Sequence, residues 1–348
     1  MVTNVGELPS LAPQALVVSQ PAEFASVVLA SSVLAPLRAA LPGARLYLLI
    51  QEKFAPLFVD HPSLDGIFTI SPESTSDELA ARFRKQKIDA VAHLSFDRKV
   101  GDAVKAAGIP FSVARAGTHD GGVSLEIVDG KKALAGHEAF LNFEVLEPFG
   151  VAVPERPVME LSVYKDARRE IFAEIAKKYG LDSRSRYAVV SLDPNRAGHG
   201  VASSVFAQAA ECITRDSGMP IIVLGRAGGN EAFLRFSRDS HGAHVIDLRG
   251  KTTPPEDAWL VSGARLCFSG ENAYAYLAVA TECPLIALFV DFSAERWFPL
   301  GHLSTNIFTG ARRFPLEPPC LYRLRAARAF KREKIASALR FSLALKDL

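Results

Sequence analysis

Short apolar runs alternate with helical segments along most of the chain. The runs have the length of buried strands, and between them apolar residues recur every three or four positions. This alternation predicts a parallel β-sheet covered by helices. In the first half the predicted strands are Ala15–Val18, Arg45–Ile50, Gly66–Ile70 and Ala90–Leu94, and the predicted helices are Phe24–Leu41, Lys53–Val59, Ser76–Lys85 and Asp102–Ala107.

A Pro-containing stretch then interrupts the series. Gly150–Pro157 follows a predicted helix over Gly136–Phe149 and is typical of a hinge. After it the alternation begins again, so the sequence predicts two doubly wound, Rossmann-like α/β domains that face a central cleft. The predicted strands of the second series are Tyr187–Ser191, Pro220–Gly225, His244–Asp247, Leu266–Phe268 and Leu285–Phe289, and its predicted helices are Asp166–Tyr179, Ser203–Thr214, Glu231–Ser237, Pro255–Ser262 and Ala273–Thr281.

Composition and charge narrow the class of protein. Of the 348 residues, 49% are hydrophobic and 22% charged, and no apolar run reaches the roughly 18 to 20 residues that a membrane-spanning helix needs. The net charge of +2 is too small to indicate a nucleic-acid partner. The start lacks the pattern of a secretory signal, and the four cysteines have neither disulfide-framework nor metal-site spacing. We therefore expect a cytoplasmic protein.

The segment Ser262–Gly301 contains the strongest candidate for a ligand site. It combines two predicted strands with a Gly-containing turn and a helix start at Ser269–Tyr276. In open parallel sheets, ligands bind beyond the carboxyl ends of the strands, where a helix N-terminus offers free N–H groups to a phosphate. This turn is the first predicted binding element.

Several segments together resemble one enzyme family. They include ALVVSQPAEFASVVLASSVLAPLRAALPGARLYLLIQEKF, KIDAVAHLSFDRKVGDAVKAAGIPFSVA, LRGKTTPPEDAWLVSGARL and LAVATECPLIALFVDFSAERWFPLG. In content and order they are similar to glycosyltransferase family 9, the bacterial heptosyltransferases that build the lipopolysaccharide inner core. The resemblance implies a GT-B fold, an acceptor site in an N-terminal domain over 1–160 and a nucleotide-sugar site in a C-terminal domain over 161–320. It also implies inverting transfer without a metal or other cofactor, and adenine as the base of the donor.

The catalytic position departs from the family pattern. Members of the family usually carry Gly-Asp in the first loop, with the aspartate as the base, whereas this chain has Ala25 and Ser26. A positioned base contributes roughly 10² to 10⁴ in rate, or about 3 to 5 kcal/mol of barrier. Glu23 is the nearest carboxylate that can replace it. The alternative is that Glu23 is a solvated acid at a helix start.

The donor positions depart in the same way. Where the family has Asp-Ser-Gly-Pro-Met-His, this chain has Glu271, Asn272, Ala273, Tyr274, Ala275 and Tyr276. Glu271, Asn272 and Tyr276 remain candidates for donor contact, with plain helix capping by Asn272 and burial of Tyr276 as the alternatives. Gly225 ends a strand and allows close approach of a nucleotide, although it also suits an ordinary turn.

A basic group for the diphosphate is expected in the loop SLDPNRAGHGV. Arg196 and His199 are its candidates, and Arg196 is preferred because a guanidinium matches phosphate oxygens better. The alternative is a solvated loop.

On the acceptor side, Arg98 and Lys99 follow the strand that ends at Leu94 and are candidates for acceptor phosphate, or else solvated charges at a helix start. The last segment, 321–348, is expected to form a basic helix. In proteins of GT-B fold such a helix packs back on the N-terminal domain, and its charge also suits peripheral contact with an anionic membrane.

Two functions follow from these observations. The first is transfer of a heptose or related sugar from a nucleoside-diphosphate sugar to a lipopolysaccharide-type or other glycan acceptor. The second is a degenerate homologue that binds a nucleotide sugar, a glycan or a protein without turnover.

Overall fold

The computed structural model describes residues 2–4, 11–115, 123–128, 136–162, 168–181, 186–194, 201–228, 230–289, 294–308, 330 and 332–344. The chain divides into two compact units, Met1–Ser162 and Val163–Leu348. The division lies a few residues after the Pro-containing stretch Gly150–Pro157. It is two residues beyond the predicted boundary at residue 160.

The first unit contains a seven-stranded sheet in which all paired strands are parallel. Its order is β1-β7-β6-β5-β2-β3-β4. Apart from the edge strand β1, this is the 3-2-1-4-5-6 order of a doubly wound sheet, and its order reverses between β2 and β5. The strands are β1 Val2–Asn4, β2 Ala15–Ser19, β3 Arg45–Gln51, β4 Gly66–Ile70, β5 Ala90–His93, β6 Phe111–Arg115 and β7 Leu125–Val128. The helices are α1 Phe24–Ala30, α2 Leu34–Ala40, α3 Ser76–Lys85, α4 Arg98–Ala107 and α5 Glu138–Glu144, with 3-10 turns at Ser31–Val33, Glu52–Phe58 and Glu147–Phe149.

The second unit repeats this topology in a six-stranded parallel sheet. Its order is β10-β9-β8-β11-β12-β13, again 3-2-1-4-5-6, and the order reverses between β8 and β11. The strands are β8 Ala188–Ser191, β9 Ile221–Leu224, β10 Val245–Asp247, β11 Leu266–Gly270, β12 Leu285–Phe289 and β13 Ser304–Phe308. The helices are α6 Arg168–Tyr179, α7 Ser203–Ser217, α8 Asn230–Asp239, α9 Pro254–Gly263, α10 Ala273–Ala280, α11 Ala294–Trp297 and α12 Arg332–Ala344.

Local sequence explains where the helices begin. Thr75 and Thr253 each form a capping box with the glutamate three residues later, so that side chain and backbone N–H groups satisfy each other at the starts of α3 and α9. Asn272 caps α10 by accepting from the N–H of Tyr274. The central strands β2, β5, β8, β11 and β12 are buried along their whole length, as expected for a sheet covered on both faces.

Several predicted elements need correction. The predicted helix Phe24–Leu41 is broken by a 3-10 turn, where the hydroxyls of Ser31 and Ser32 donate to the carbonyls of Val28 and Leu29, each at 2.7 Å. The predicted helix Lys53–Val59 is a 3-10 helix with the bounds Glu52–Phe58. Strands β1, β6, β7 and β13 were not predicted, because their short sequences mix polar with apolar residues and lack the continuous apolar run of the central strands.

The final helix lies within the segment 321–348 for which a helix was predicted. The part that the structure describes, α12, packs on α7 and β12 of the second unit. Ile335, Ala338 and Leu339 are buried in the same hydrophobic core cluster of that unit as Phe206 and Phe268. The apolar side chains of α12 that the structure describes therefore pack within their own unit, and the packing of segment 321–348 on the N-terminal domain stays a prediction.

Candidate functional site

Polar side chains gather where the strand order of the second sheet reverses. β8 and β11 are neighbours there, and the chain leaves them through Leu192 and Glu271. Because the strands are parallel, the segments that follow β8, β9 and β11 emerge at one edge of the sheet. This edge, which we call the second-sheet edge, contains Asp193, Gly225, Arg226 and Asn272.

Asn272 is the hub of this edge. Its Oδ1 accepts from the N–H of Tyr274 at 3.0 Å and from the hydroxyl of Ser269 at 2.8 Å. Its Nδ2 donates to Ser191 Oγ at 3.2 Å and to the carbonyl of Asp193 at 2.9 Å. The predicted capping role is present, and the same side chain also ties together the segments after β8 and β11. Glu271, beside it, is half-buried.

Asp193 holds the turn after β9. Both of its carboxylate oxygens lie 3.2 Å from the backbone nitrogen of Arg226, which donates to them, and Arg226 Nε is 3.7 Å from Oδ2. Burial raises the pKa of Asp193, and the Arg226 N–H and the charges of Arg226 and Arg249 oppose this rise in part. The sequence alone does not single out Asp193, since a lone aspartate two residues after a strand is common in turns.

Gly225 makes its close approach to this carboxylate. Its φ is +149°, and a Cβ built on it would lie 2.5 Å from Asp193 Oδ1. Glycine is required here because both the backbone conformation and the space exclude a side chain. The structure describes a close approach of Gly225 to Asp193 of the same chain. The close approach of a nucleotide to Gly225 stays a prediction.

A buried hydrogen-bonded acid lies behind the edge. Asp257, in the first turn of α9, is 5% exposed. Its Oδ2 accepts from the Tyr274 hydroxyl at 2.9 Å, and its Oδ1 accepts from the Thr252 hydroxyl. Burial raises the pKa of Asp257 to about 7, and it also raises the pKa of Tyr274 well above the usual range. Because Tyr274 belongs to α10 and Asp257 to α9, this hydrogen bond joins the two helices.

Tyr276 does not expose its hydroxyl at this edge. The side chain is 2% exposed, and its hydroxyl donates to the carbonyl of Trp297. The structure thus describes a buried Tyr276, which was the alternative named for this residue, while its contact with a donor stays a prediction. Arg196 and His199, the predicted cations, lie outside the described residues.

The first unit has a corresponding edge where β2 and β5 are neighbours. The Ser26 hydroxyl donates to Glu23 Oε1 at 2.9 Å, and Glu23 is the exposed N-cap residue of α1. Glu23 and Ser26 are therefore brought together, as the predicted catalytic pair requires. Gln20 Nε2 fixes the loop by donating to the Ser26 carbonyl at 3.1 Å.

Two buried polar atoms beside this pair lack partners. Ser19 Oγ and Gln20 Oε1 are inaccessible to solvent and have no hydrogen-bond partner among the residues that the structure describes. Buried polar groups are nearly always satisfied, so such atoms at a strand-order reversal are typical of a place that a ligand or water completes. Sequence reasoning did not single out either residue.

A buried ion pair lies close to this edge of the first unit's sheet, at the end of β6. Arg115, at the end of β6, donates through Nη2 to Glu138 Oε1 at 2.7 Å, to Asn142 Oδ1 at 3.2 Å and to the carbonyl of Leu94 at 3.1 Å. These bonds join β6 to α5. Spacing along the chain does not indicate this cluster, because its members are more than 20 residues from Arg115.

The two predicted acceptor residues differ in their surroundings. Lys99 donates through Nζ to the carbonyls of Ser71 and Pro72, at 3.2 and 2.9 Å, and so holds the loop after β4. Arg98 is exposed at the first position of α4. In the described ranges, no group of three or more His, Cys, Asp and Glu residues is arranged to hold a metal ion. No helix in those ranges is both long and apolar enough to cross a membrane.

Comparison with known proteins identifies the fold. No protein-family model matches the sequence, and no curated protein matches it either. Among solved structures, a glycosyltransferase family 9 protein from Veillonella parvula superposes with a TM-score of 0.78 at 16% identity, covering 98% of this chain and 99% of its own. The chain has the family 9 glycosyltransferase fold. The predicted class, two Rossmann-like parallel-sheet domains of GT-B type, is confirmed.

Two E. coli enzymes match over similar lengths. ADP-heptose LPS heptosyltransferase II gives a TM-score of 0.77 at 16% identity over 96% of this chain and all of its own. Heptosyltransferase WaaC, solved with ADP, gives 0.66 at 14% identity over 94% of this chain and 99% of its own. At these identities the likeness establishes the fold, and the chemistry must be argued from the residues.

Proposed function

We propose that this protein is a glycosyltransferase that moves a heptose or related sugar from a nucleoside-diphosphate sugar to a lipopolysaccharide-type glycan. One observation supports this proposal most. The chain has the family 9 fold, and in each of its two sheets polar side chains lie where the strand order reverses. Ligands bind at this point in open α/β sheets. We assign the donor to the second-sheet edge and the acceptor to the edge that contains Glu23 and Ser26.

In the proposed reaction Glu23 is the base. Its carboxylate takes the proton of an acceptor hydroxyl while that oxygen attacks the anomeric carbon of the sugar. The bond from this carbon to the phosphate oxygen breaks, and the nucleoside diphosphate leaves with inversion at the carbon. Ser26, which donates to Glu23 Oε1 at 2.9 Å, orients the carboxylate. This arrangement offers a carboxylate within one hydrogen bond of the position where the family pattern has its aspartate.

The remaining parts of the proposal follow from the resemblance. We propose adenine as the base of the donor, with Asn272 and Glu271 close to the donor and Arg196 or His199 beside its diphosphate. Arg98 and Lys99 are the proposed contacts for acceptor phosphate. We further propose that the transfer needs no metal ion and takes place in the cytoplasm, with peripheral contact at the inner membrane. Turnover that persists in EDTA would agree with the first of these points, and turnover restored only by a divalent cation would contradict it.

A second function has its own supporting observation. Ser26 replaces the family's base, and a carboxylate, that of Asp193, lies where a diphosphate is expected. Both features suit a protein that binds a nucleotide sugar, a glycan or a protein partner without turnover.

A shift in the thermal midpoint of unfolding shows whether the protein binds a nucleotide or a nucleotide sugar. ADP, UDP, GDP and their sugars are tested for a shift in the thermal midpoint of unfolding. A ligand at 100 times its Kd adds about 2.7 kcal/mol, which corresponds to roughly 5 to 10 °C for a domain of this size. A shift with one base and its sugar supports the proposal. No shift with any of them contradicts both the transferase and the nucleotide-sugar binder.

Turnover separates the two functions. Release of the nucleoside diphosphate is measured for the wild type, Glu23→Gln and the control Glu174→Gln, which removes an exposed carboxylate on α6. We expect a loss of about 10² to 10⁴ in kcat for Glu23→Gln and wild-type activity for the control. Activity retained in Glu23→Gln removes Glu23 from the mechanism, and binding without turnover in the wild type favours the second function.

A further inference from the structure

The hydrogen-bond donors at the end of β9 are already bound to another residue of the same chain. The backbone N–H of Arg226 points between the two carboxylate oxygens of Asp193, 3.2 Å from each. The Arg226 guanidinium adds a cation 3.7 Å from Oδ2, while most of its own side chain, 77%, is exposed. A backbone N–H with an adjacent arginine is a typical partner for a phosphate oxygen. In this structure a carboxylate of the same chain takes that place.

The backbone on both sides holds the carboxylate there. Gly225 lies against Asp193 Oδ1, and its φ of +149° turns the next N–H toward the carboxylate. Asn272 Nδ2 donates to the Asp193 carbonyl at 2.9 Å, which fixes the other end of the residue. The side chain of Asp193 is only 17% exposed. The contact is therefore part of an arrangement that joins the segments after β8, β9 and β11.

The charges around Asp193 are of both signs. The charges of Arg226 and Arg249 favour the ionised form of Asp193. The charge of Asp193 in turn raises the pKa values of Asp257 and Tyr274. Burial opposes the charged form and raises the pKa of Asp193 overall. A diphosphate brought to this edge would place two more negative charges beside a buried carboxylate.

We propose that Asp193 is a specificity-determining residue, whose carboxylate fills the anion position of the second-sheet edge and must leave it or lose its charge before a diphosphate binds. This inference rests on the proposed function in placing the donor at this edge. It predicts that the wild-type chain binds a free diphosphate weakly and that the carboxylate is the cause. Removal of its charge, with its shape retained, should open the position.

The test uses inorganic pyrophosphate as the probe and the full-length protein. Its Kd is measured by titration calorimetry at pH 7.5 for the wild type, Asp193→Asn and Asp193→Ser. Asp216→Asn is the control, because it changes the net charge equally at an exposed aspartate paired with its neighbour Arg215 at the end of α7. Thermal unfolding checks that each variant is folded, and the serine variant serves if the asparagine variant is not.

We expect Asp193→Asn or Asp193→Ser to bind pyrophosphate at least tenfold more tightly than the wild type, with the control within twofold of it. Addition of Arg226→Gln to Asp193→Asn should remove most of the gain, since the probe then loses its cation. Affinity in both Asp193 variants that equals or falls below that of the wild type would overturn the inference, as would a gain that survives Arg226→Gln in full.

The outcome is separable from that of the proposed function. If the wild type binds no nucleotide sugar but Asp193→Asn gains pyrophosphate binding, the proposed function fails and the inference stands. If the wild type turns over a nucleotide sugar but the Asp193 variants gain nothing, the inference fails and the function stands.

Discussion

We expect the buried acid Asp257 to make the stability of this fold fall as the pH rises above 5. Most carboxylates in proteins are more acidic when folded, because partners stabilise their charge. Asp257 is the reverse case, since burial raises its pKa from 3.8 to about 7. Between these two values the folded chain binds more protons at this site than the unfolded chain does. The contribution of Asp257 to the free energy of unfolding therefore falls as the pH rises through this range.

The expected size of this effect follows from the two pKa values. For a carboxyl that titrates at 3.8 unfolded and about 7 folded, linkage gives a loss of about 2.5 kcal/mol between pH 5 and pH 8. For a domain of this size the loss corresponds to roughly 5 to 10 °C in the thermal midpoint. Asp257→Asn cannot titrate, so it should lack this part of the pH dependence, whatever constant cost its altered hydrogen bonds add.

The assay is thermal and urea unfolding of the wild type and Asp257→Asn from pH 5 to pH 8. We expect the stability of the variant relative to the wild type to improve by about 2.5 kcal/mol across this range. Asp102→Asn is the control, because Asp102 is an exposed aspartate in the middle of α4, and its profile should follow the wild type. Parallel profiles for the wild type and Asp257→Asn would refute the reasoning, since they would show that Asp257 titrates alike in the folded and unfolded chains.

Three further predictions concern the fold and the site. Thr75→Ala should lower the free energy of unfolding by about 1 kcal/mol through loss of the α3 capping box, and Thr75→Ser should restore it in urea unfolding. Phe268→Ala, which empties a fully buried position in edge contact with Phe206, should cost about 3 to 5 kcal/mol, and a cost below 1 kcal/mol would contradict the described core. Gly225→Ala should cost about 1 to 3 kcal/mol, and less in an Asp193→Gly background, because its Cβ meets the Asp193 carboxylate; a double-mutant cycle without coupling would be inconsistent with this contact.

The order of elements was predictable because each central strand is a continuous apolar run between helical segments. α3 and β12 were predicted with the bounds that the structure has, at Ser76–Lys85 and Leu285–Phe289. α3 carries its own start signal in Thr75 and Glu78. The strands that were missed, such as β13 with the sequence STNIF, gain their structure from pairing with a neighbour. The local sequence pattern does not show which strand such a segment will pair with.

The candidate site was predictable only where its chemistry is local in sequence. Glu23 and Ser26 are three residues apart at a helix start, and Asn272 is a recognisable N-cap. The contact of Asp193 with Arg226 spans 33 residues, and that of Tyr274 with Asp257 spans 17. Both depend on strands and helices meeting at one edge of a sheet, so neither could be read from spacing along the chain.

The measurement that tests the central claim most directly is hydrogen exchange of the full-length protein with and without a nucleoside-diphosphate sugar. Backbone N–H groups at the second-sheet edge, over residues 192–194, 225–228 and 271–274, should exchange more slowly when the sugar nucleotide is bound. The central strands serve as the internal reference because they are already buried. Slower exchange at that edge is the result that the account predicts. Exchange there that is unchanged at saturating ligand, or protection confined to other segments, would contradict it.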